Sequence, residues 1–208
     1  MRGRRPVWDN RGVIEQGLSG FAAVVLAGGQ ATRLGGFDKA SVEVDGRTLL
    51  EHALDAVLDA SEVIVVGRSV PTDRPVTFVV EEPRHGGPAA GLLTGRDALL
   101  RRFPTLAVLA VDMPRLTPTT FRRLHEAAVG HDGAILADGD GHRHLAFVVD
   151  TARLDAVRPH HEEQHGMSVR ALLAPLDLVE VAPVGQEARD VDTWSDLRDL
   201  ASDGPEGR

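Results

Sequence analysis

Short apolar runs alternate with amphipathic stretches along most of this chain. Seven apolar runs have the length of strands: Ala22–Leu26, Val63–Val66, Val76–Val80, Leu106–Val111, Ala134–Ala137, Leu145–Val149 and Leu178–Val181. Six stretches between or after them have helical character: Leu49–Leu58, Gly91–Arg101, Pro118–Val129, Thr151–Val157, Ser168–Leu173 and Thr193–Leu200. Near-continuous apolar strands separated by helices are typical of a mostly parallel sheet covered on both faces. The sequence therefore predicts a Rossmann-like α/β fold.

A turn signal interrupts the parallel order late in the chain. Asp138-Gly139-Asp140-Gly141 lies between the fifth and sixth apolar runs, and such a sequence favours a β-hairpin. No linker or repeat divides the remainder. We predict a disordered extension over residues 1–20, one domain over residues 21–200 and a short tail over residues 201–208.

The composition excludes several classes of protein. The 208 residues include 31 acidic and 23 basic side chains, and a net charge of −8 disfavours a nonspecific nucleic-acid or membrane binder. The absence of cysteine removes disulfides, thiolate metal sites and cysteine nucleophiles. No apolar segment approaches the roughly 20 residues of a membrane span, and the N-terminus lacks the apolar core of a secretory signal. We expect a cytoplasmic protein.

A glycine-rich loop with two basic residues follows the first apolar run. Residues 26–39 read Leu-Ala-Gly-Gly-Gln-Ala-Thr-Arg-Leu-Gly-Gly-Phe-Asp-Lys. The glycines let backbone N–H groups approach an anion, and Arg33 and Lys39 supply positive charge. The loop matches neither the GxxxxGK[ST] nor the GxGxxG phosphate motif. It predicts a polyphosphate site of another kind, and glycines that serve turn geometry alone are the alternative.

Acidic residues follow strands or precede helices at two further places. Asp112 comes directly after the fourth apolar run, where a carboxylate can hold a hard cation that bridges phosphate oxygens. Near the C-terminus, Asp190 and Asp192 precede the last predicted helix, and Asp192 is the better candidate to complete a metal site with Asp112. The alternative is that these acids cap helices or form turns. Ligands of open α/β sheets bind at the carboxyl ends of strands, which agrees with a shared site.

A second glycine-rich turn follows the third apolar run. It reads Glu81-Glu82-Pro83-Arg84-His85-Gly86-Gly87-Pro88-Ala89-Ala90-Gly91. Small side chains allow a planar base or a ribose to approach the backbone, and a surface loop with close helix packing is the alternative.

Histidines are frequent in the later part of the chain. They lack the HExxH spacing of a zinc site, so we expect solvated loop positions for His142, His144, His160, His161 and His165. On the predicted hairpin, His142, Arg143 and His144 are candidates to contact an anionic second substrate. No GxSxG elbow supports serine hydrolysis.

Three motifs occur in one order: LAGGxxxRxGGxDK, GGPAAG and VDMP after a strand. In this combination the chain resembles the MobA-like nucleotidyltransferases over residues 21–200, and it is most similar to their molybdenum cofactor guanylyltransferase branch. The resemblance implies the nucleotide-diphospho-sugar transferase type of fold. It implies transfer of GMP from GTP to the terminal phosphate of molybdopterin, with Mg²⁺ and release of pyrophosphate. Molybdenum-insertion proteins and molybdoenzyme chaperones are the protein partners that it suggests.

The resemblance also implies roles for single residues. Arg33, Lys39 and Asp112 would be catalytic, and Asp112 would hold Mg²⁺, together with Asp192 from the argument above. Glu82 takes the place of an aspartate that family members commonly have near the nucleoside. The residues implied in nucleotide binding are Leu26, Ala27, Gly28, Gly29, Arg33, Lys39, Glu82, Gly87, Pro88, Gly91 and Asp112.

The chain departs from the family pattern at several positions. The stretch Val65-Val66-Gly67-Arg68 lacks the asparagine that is common after the second strand. The late Asn-Val-Asn-Thr-Pro of the family is Asp190-Val191-Asp192-Thr193-Trp194 here, and the strand His144-Leu145-Ala146-Phe147 lacks the proline of the pterin-contacting region. Two alternatives therefore stay open: a sugar-phosphate or other small-molecule nucleotidyltransferase on the same fold, and a noncatalytic nucleotide-binding adaptor.

Overall fold

The predicted strands pair into one mixed sheet in the computed structural model, which describes residues 20–28, 30–31, 37–84 and 86–202. Residues 1–19 and 203–208, most of the predicted extension and tail, lie outside this description. The described strands are β1 (Ala22–Leu26), β2 (Gln30–Ala31), β3 (Phe37–Asp38), β4 (Glu43–Val44), β5 (Arg47–Thr48), β6 (Glu62–Val66), β7 (Thr77–Val79), β8 (Thr105–Ala110), β9 (Gly133–Ala137), β10 (Arg143–Asp150) and β11 (Leu178–Val181). Within the described ranges, the seven strands of the main sheet have the order β11-β9-β10-β8-β1-β6-β7.

The main sheet is parallel except around β10. β1 pairs in parallel with both β6 and β8, and β7 and β11 extend the two edges in parallel. β10 runs antiparallel to β8 and β9, and its register with β9 shifts between Arg143 and Phe147. The hairpin turn is closed by the Asp138 N–H, which donates to the His142 carbonyl at 2.9 Å. The predicted late hairpin is confirmed.

Helices cover both faces of the sheet. The described α-helices are α1 (Leu49–Ala56), α2 (Pro88–Asp97), α3 (Pro118–Ala127), α4 (Thr151–Ala156), α5 (Val169–Leu173) and α6 (Trp194–Ser202). Alternate residues of a strand point to opposite faces. Ala23 and Val25 of β1 accordingly pack in the core with α1, α3 and α6, whereas Ala22 and Val24 pack in the core with α2, α4 and α5. This two-sided burial explains why the strands read as continuous apolar runs.

Element ends differ from the prediction by up to four residues, as at the end of α2, which is Asp97 rather than the predicted Arg101. Helix α2 begins at Pro88 rather than at the predicted Gly91, because Gly87 at a φ of +90° ends the loop and proline suits the first helical turn. The ribbon β4–β5 was not predicted, since two-residue strands carry no periodic signal. Its turn places Asp45 at a φ of +53° and Gly46 at +75°, as a tight hairpin requires.

The strand order defines where a ligand would bind. After β1 the chain continues to β6 and β7 on one side of this strand, and it then returns to the other side as β8. The topological switch point therefore lies beside the carboxyl end of β1. Backbone pairing continues past the strand ends there. The Ala27 N–H donates to Val66 at 2.9 Å, and the Val111 N–H donates to Leu26 at 3.0 Å. The loops after β1, β6 and β8 are therefore held side by side.

His125 lies at the opposite end of β1, and its imidazole makes the folding stability of the protein depend on pH. Its ring lies 4.6 Å from the ring of Phe21, and its Nε2 is buried without a hydrogen-bond partner among the described residues. Burial lowers the pKa of the imidazole from 6.5 to about 4. The unfolded chain therefore takes up this proton first as the pH falls. The resulting loss of folding free energy begins near pH 6.5 and is complete below about pH 4.

We expect His125→Phe to remove this component of acid sensitivity. Relative to the variant, the wild type should lose up to about 2 kcal/mol of unfolding free energy between pH 7 and pH 4.5, after allowance for partial solvent screening. Urea unfolding of both proteins at the two pH values measures this difference. Equal losses in the two proteins would show that His125 is not the group responsible.

Candidate active site

One ammonium group bridges two carboxylates at the carboxyl end of the sheet. Lys39 Nζ donates to Asp112 Oδ2 at 2.9 Å and to Asp192 Oδ1 at 2.7 Å. The Lys39 side chain is 14% exposed, against 25% for Asp112 and 51% for Asp192, so the cluster opens to solvent on the Asp192 side. The structure thus brings together the predicted phosphate-binding lysine and both predicted metal ligands.

The electrostatics of the cluster keep Lys39 charged. Burial by itself lowers the pKa of the Lys39 ammonium, but the charges and hydrogen bonds of Asp112 and Asp192 outweigh it, and the pKa lies above its ordinary value of 10.5. Two carboxylates and one ammonium leave the cluster with a formal charge of −1. The two carboxylates of such a cluster can exchange the ammonium for another cation, and the ammonium can then contact an anion.

Local capping holds the backbone of Lys39. Residues Lys39–Ser41 form a 3₁₀ turn, and the Asp38 side chain accepts a hydrogen bond from the Ala40 N–H at 3.1 Å. Ala40 is 1% exposed and packs in the core beside α1. Asp38 therefore fixes the start of the turn while the buried alanine anchors its middle, and Lys39 emerges from a rigid base.

The segment after β11 carries Asp192 to the site. Val191 is fully buried, and its N–H donates to the Asp112 carbonyl at 2.9 Å, which ties the two acidic residues together through the backbone. Helix α6 starts directly afterwards, and Asp196 accepts from the N–H groups of Asp192 and Thr193 at 3.0 and 2.7 Å. The hydrogen bonds from Thr193 and Asp192 hold the pKa of the Asp196 carboxyl below its ordinary value.

A buried carboxylate anchors the same segment farther from the site. Glu187 is only 7% exposed. Its oxygens accept from Thr120 Oγ1 at 2.6 Å, Arg123 Nη2 at 2.7 Å and the Val184 N–H at 2.7 Å. These bonds attach the chain before Asp192 to α3. Sequence reasoning missed Glu187 because burial of a charged residue in a loop leaves no periodic signal.

The glycine turn before α2 lies over the ends of β1 and β6. A Cβ on Gly91 would stand 3.6 Å from Leu26 Cδ2 and from Val66 Cγ1. No described side chain caps the helix at Gly87. Because a helix N-terminus carries partial positive charge, this end of α2 favours an anionic or polar ligand. Gly91 thus lies against the end of β1, where the predicted polyphosphate loop begins, whereas a Cβ on Gly87 would face the Met167 carbonyl oxygen at 3.6 Å.

Two neighbouring acids differ in their relation to that turn. Glu82 is exposed, and its backbone N–H and carbonyl bond to Thr94 Oγ1 at 3.0 and 3.2 Å. Glu81 is partly buried, and its Oε2 would lie 3.9 Å from a Cβ on Gly91. The carboxylate beside Gly91 therefore belongs to Glu81, whereas the family pattern pointed to Glu82.

The loop after β1 is described only in part. Leu26 and Ala27 are buried and Gly28 is exposed, whereas Gly29 and Arg33 lie outside the described residues. Gly67, within the stretch that lacks the family asparagine, lies against this loop. A Cβ there would be 3.1 Å from the Ala27 carbonyl carbon. A side chain at Gly67 would thus push the loops after β1 and β6 apart.

An apolar pocket lies beside α2 on the hairpin side. It has a volume of about 210 Å³, and its lining is Pro88, Ile135, Arg143, His144, Leu145, Ser168, Val169, Arg170 and Leu173. Arg143 Nε donates to Glu180 at 2.8 Å, and His144 Nε2 lies 3.0 Å from Asp138 Oδ2. Of the other histidines singled out, His142, His160, His161 and His165 are exposed, as predicted.

The described residues contain neither a metal-binding cluster nor a membrane-spanning helix. No cluster of three or more His, Cys, Asp or Glu side chains suited to a metal occurs in this part of the chain. A metal at Asp112 and Asp192 would therefore need further ligands from a substrate or from water. None of the described helices has the length and apolar character of a membrane span.

The sheet order, the switch-point loops and the lysine–carboxylate cluster define a protein of the nucleotidyltransferase class. The family model for the MobA-like NTP transferase domain matches residues 23–181, and the chain belongs to this family. This assignment confirms the family resemblance carried by the three sequence motifs.

Named relatives agree with the family assignment. A protein named molybdenum cofactor guanylyltransferase from Acidiphilium cryptum is 38% identical over 148 residues, which is 67% of this chain and 71% of that protein. One named "Probable molybdenum cofactor guanylyltransferase" from Natronomonas pharaonis is 36% identical over 121 residues. That alignment covers 54% of this chain and spans only 59% of the Natronomonas protein.

Solved structures share the fold at low sequence identity. The molybdopterin-guanine dinucleotide biosynthesis protein A of Archaeoglobus fulgidus superimposes with a TM-score of 0.66 at 20% identity, covering 87% of this chain and 97% of that one. Rv0371c of Mycobacterium tuberculosis, in a complex with manganese, gives 0.65 at 21% identity, covering 89% and 100%. These likenesses confirm the predicted α/β nucleotidyltransferase fold.

Proposed function

We propose that the chain is a molybdenum cofactor guanylyltransferase. It moves GMP from GTP to the terminal phosphate of molybdopterin and releases pyrophosphate. The observation that carries this proposal is the contact of Lys39 with both Asp112 and Asp192 at the switch point. The names of the relatives supply the nucleotide and the acceptor.

The reaction requires charge neutralisation more than proton transfer. A terminal phosphate oxygen of the acceptor attacks the α-phosphorus of GTP, and the bond from that phosphorus to the bridging oxygen of the β-phosphate breaks. Because the attacking phosphate is ionised at neutral pH, the step needs no general base. Lys39 neutralises charge on the phosphates, and Arg33 acts with it on the leaving pyrophosphate.

Asp112 and Asp192 fit a divalent cation by their chemistry. Both present carboxylate oxygens to the same point, and they already share one positive charge there. Mg²⁺ is commonly held by one or two carboxylates together with substrate phosphates, which suits a two-carboxylate site. When bound, the ion would offset the repulsion between the two reacting phosphates. We therefore assign Mg²⁺ to these two side chains.

The nucleoside lies across the ends of β1 and β6. The backbone of Leu26, Ala27, Gly28 and Gly29 holds it on one side, and the turn of Gly87, Pro88 and Gly91 on the other. The positive end of the α2 dipole adds a favourable environment for polar or anionic groups of the nucleotide. Either of the adjacent acids, Glu81 or Glu82, accepts hydrogen bonds from the base or ribose, and the orientation of Glu81 makes it the stronger candidate.

The acceptor occupies the pocket on the hairpin side of α2. Its apolar floor, formed by Ile135, Leu145 and Leu173, suits a flat heterocycle, and Pro88 places the pocket next to the nucleotide turn. Arg143 and Arg170 in its lining supply positive charge for an acceptor phosphate.

An assay of pyrophosphate release tests the proposal, with purified protein, Mg²⁺, molybdopterin and each of GTP, CTP, ATP and UTP in turn. We expect pyrophosphate release with GTP only in the presence of molybdopterin, together with a guanine dinucleotide product by mass spectrometry. Asp112→Asn, a matched neutral variant, should lose most of this activity. Transfer to a sugar 1-phosphate, with no turnover of molybdopterin, would instead support the sugar-phosphate alternative. GTP binding without pyrophosphate release would support a noncatalytic adaptor.

A further inference from the structure

We infer that the Lys39 ammonium is a built-in placeholder for the divalent cation, and that it keeps the carboxylate pair from binding metal until nucleotide arrives. The inference rests on the proposed function for the identity of the nucleotide. It concerns the order and coupling of binding, which the assignment of the site leaves open.

The placeholder role follows from shared ligands. Asp112 Oδ2 and Asp192 Oδ1 accept hydrogen bonds from Lys39 at 2.9 and 2.7 Å. Carboxylate oxygens of this kind are also the atoms that coordinate a magnesium ion. A dication on the same oxygens would lie within a few ångströms of the ammonium. Like charges so close repel strongly at a partly buried site. Lys39 and a metal ion therefore compete for one carboxylate pair.

The carboxylate pair is preformed rather than assembled by the metal. Val191 is buried and its N–H donates to the Asp112 carbonyl at 2.9 Å, so the two acidic segments are joined before any ligand binds. In the described residues no third metal-binding side chain joins Asp112 and Asp192. Two carboxylates that already bind an ammonium have low affinity for a free metal ion. Phosphate oxygens of the nucleotide are needed to complete the coordination of the metal.

That residue 39 is a lysine rather than an arginine supports an ammonium group that moves between ligands. Lys39 is the only lysine in the chain, where every other cationic side chain of the 23 is arginine. A lysine carries a compact charge on a flexible stem, whereas the planar guanidinium of arginine forms fork-like bonds that fix a carboxylate. A lysine can thus exchange carboxylates for phosphates when the nucleotide enters. That exchange frees Asp112 and Asp192 for the metal and couples the two binding events, and such coupling is reciprocal.

Calorimetric titration with MgCl₂ alone, in the absence of nucleotide, tests the competition directly. Lys39→Met keeps the length of the side chain without its charge, and we expect it to bind Mg²⁺ at least about tenfold more tightly than the wild type. Lys39→Arg is the matched control that keeps the charge, and it should bind Mg²⁺ no more tightly than the wild type. Equal or weaker Mg²⁺ binding by folded Lys39→Met overturns the inference.

A second measurement uses the wild-type protein and does not depend on the variant's folding. Protein labelled with ¹³C only at the Cε of lysine gives one signal, because Lys39 is the only lysine. GTP in the presence of EDTA should shift this signal as the ammonium moves to the phosphates. Mg²⁺ alone should shift it only at concentrations that fill the site. Saturation by Mg²⁺ that leaves the signal unmoved overturns the inference.

The two proposals fail in distinguishable ways. If the wild type transfers GMP but Lys39→Met gains no affinity for Mg²⁺, the placeholder role falls and the proposed function stands. If GTP does not bind the wild type while Lys39→Met still gains affinity for Mg²⁺, the proposed function falls and the competition between Lys39 and metal stands.

Discussion

Replacing Lys39 by alanine should lower kcat/KM for nucleotidyl transfer about 100- to 1,000-fold, or about 3 kcal/mol of transition-state free energy. The ammonium stands at the one point that both carboxylates share, with its side chain 14% exposed. A partly desolvated charge aimed at developing negative charge contributes far more than a surface charge. Steady-state kinetics with varied GTP and saturating acceptor measure the loss.

Arg47→Ala serves as the control for this prediction. Arg47 is also cationic and lies nearby in the chain, but its guanidinium pairs with Asp55 on the surface at 2.5 Å and does not contact the Lys39 cluster. We expect kcat/KM of the Arg47→Ala enzyme to stay within about twofold of the wild type, because the loss of a surface ion pair has little effect. A Lys39→Ala enzyme with near-normal kcat/KM would remove Lys39 from the catalytic residues.

Gly133→Ala should cost the fold about 3 kcal/mol or more of unfolding free energy. Gly133 begins β9 and lies between Val149 of β10 and Leu178 of β11. A Cβ there would overlap the backbone carbonyl oxygen of Val148, and it would come within 2.9 Å of Leu178 Cδ2. Because the obstacle is backbone inside a paired sheet, relief requires the strands to separate rather than a side chain to turn.

Thermal unfolding of Gly133→Ala should show a midpoint roughly 6–12 °C below that of the wild type. Gly139→Ala is the matched control, since a Cβ at Gly139 meets nothing within 4 Å and its φ is not positive. The control should unfold within about 1–2 °C of the wild type. A Gly133→Ala midpoint as high as that of the control would mean that the β9–β10 pairing yields easily.

Local signals predicted the secondary structure well because they act over short distances. Every predicted strand and helix occurs, and the Asp138–Gly141 turn produces the expected hairpin. The departures have local causes too, such as the early start of α2 at Pro88 after a glycine with positive φ. Strands buried on both faces gave the clearest signal, since each must be apolar at every position.

The site was predictable where its residues follow strands, and less so elsewhere. Asp112 and Lys39 were recognised from their places after glycine-rich or apolar segments, and the structure brings them into contact. The orientation of Glu81 toward Gly91 was not predictable, because two adjacent glutamates in a loop have no periodicity to distinguish them. Glu187 was missed for a similar reason, since its burial depends on Thr120 and Arg123 of a distant helix.

The sequence by itself determined the alternation of strands and helices, the late hairpin and the glycine turns, because these depend on periodicity and on single-residue backbone preferences. The tertiary structure decided which residues meet. Lys39 contacts acids 73 and 153 positions away, and those contacts exist only because β8 packs beside β1 and because Val191 binds the backbone of Asp112. Contacts at such separations depend on how whole elements stack, and no local pattern in the chain encodes that stacking.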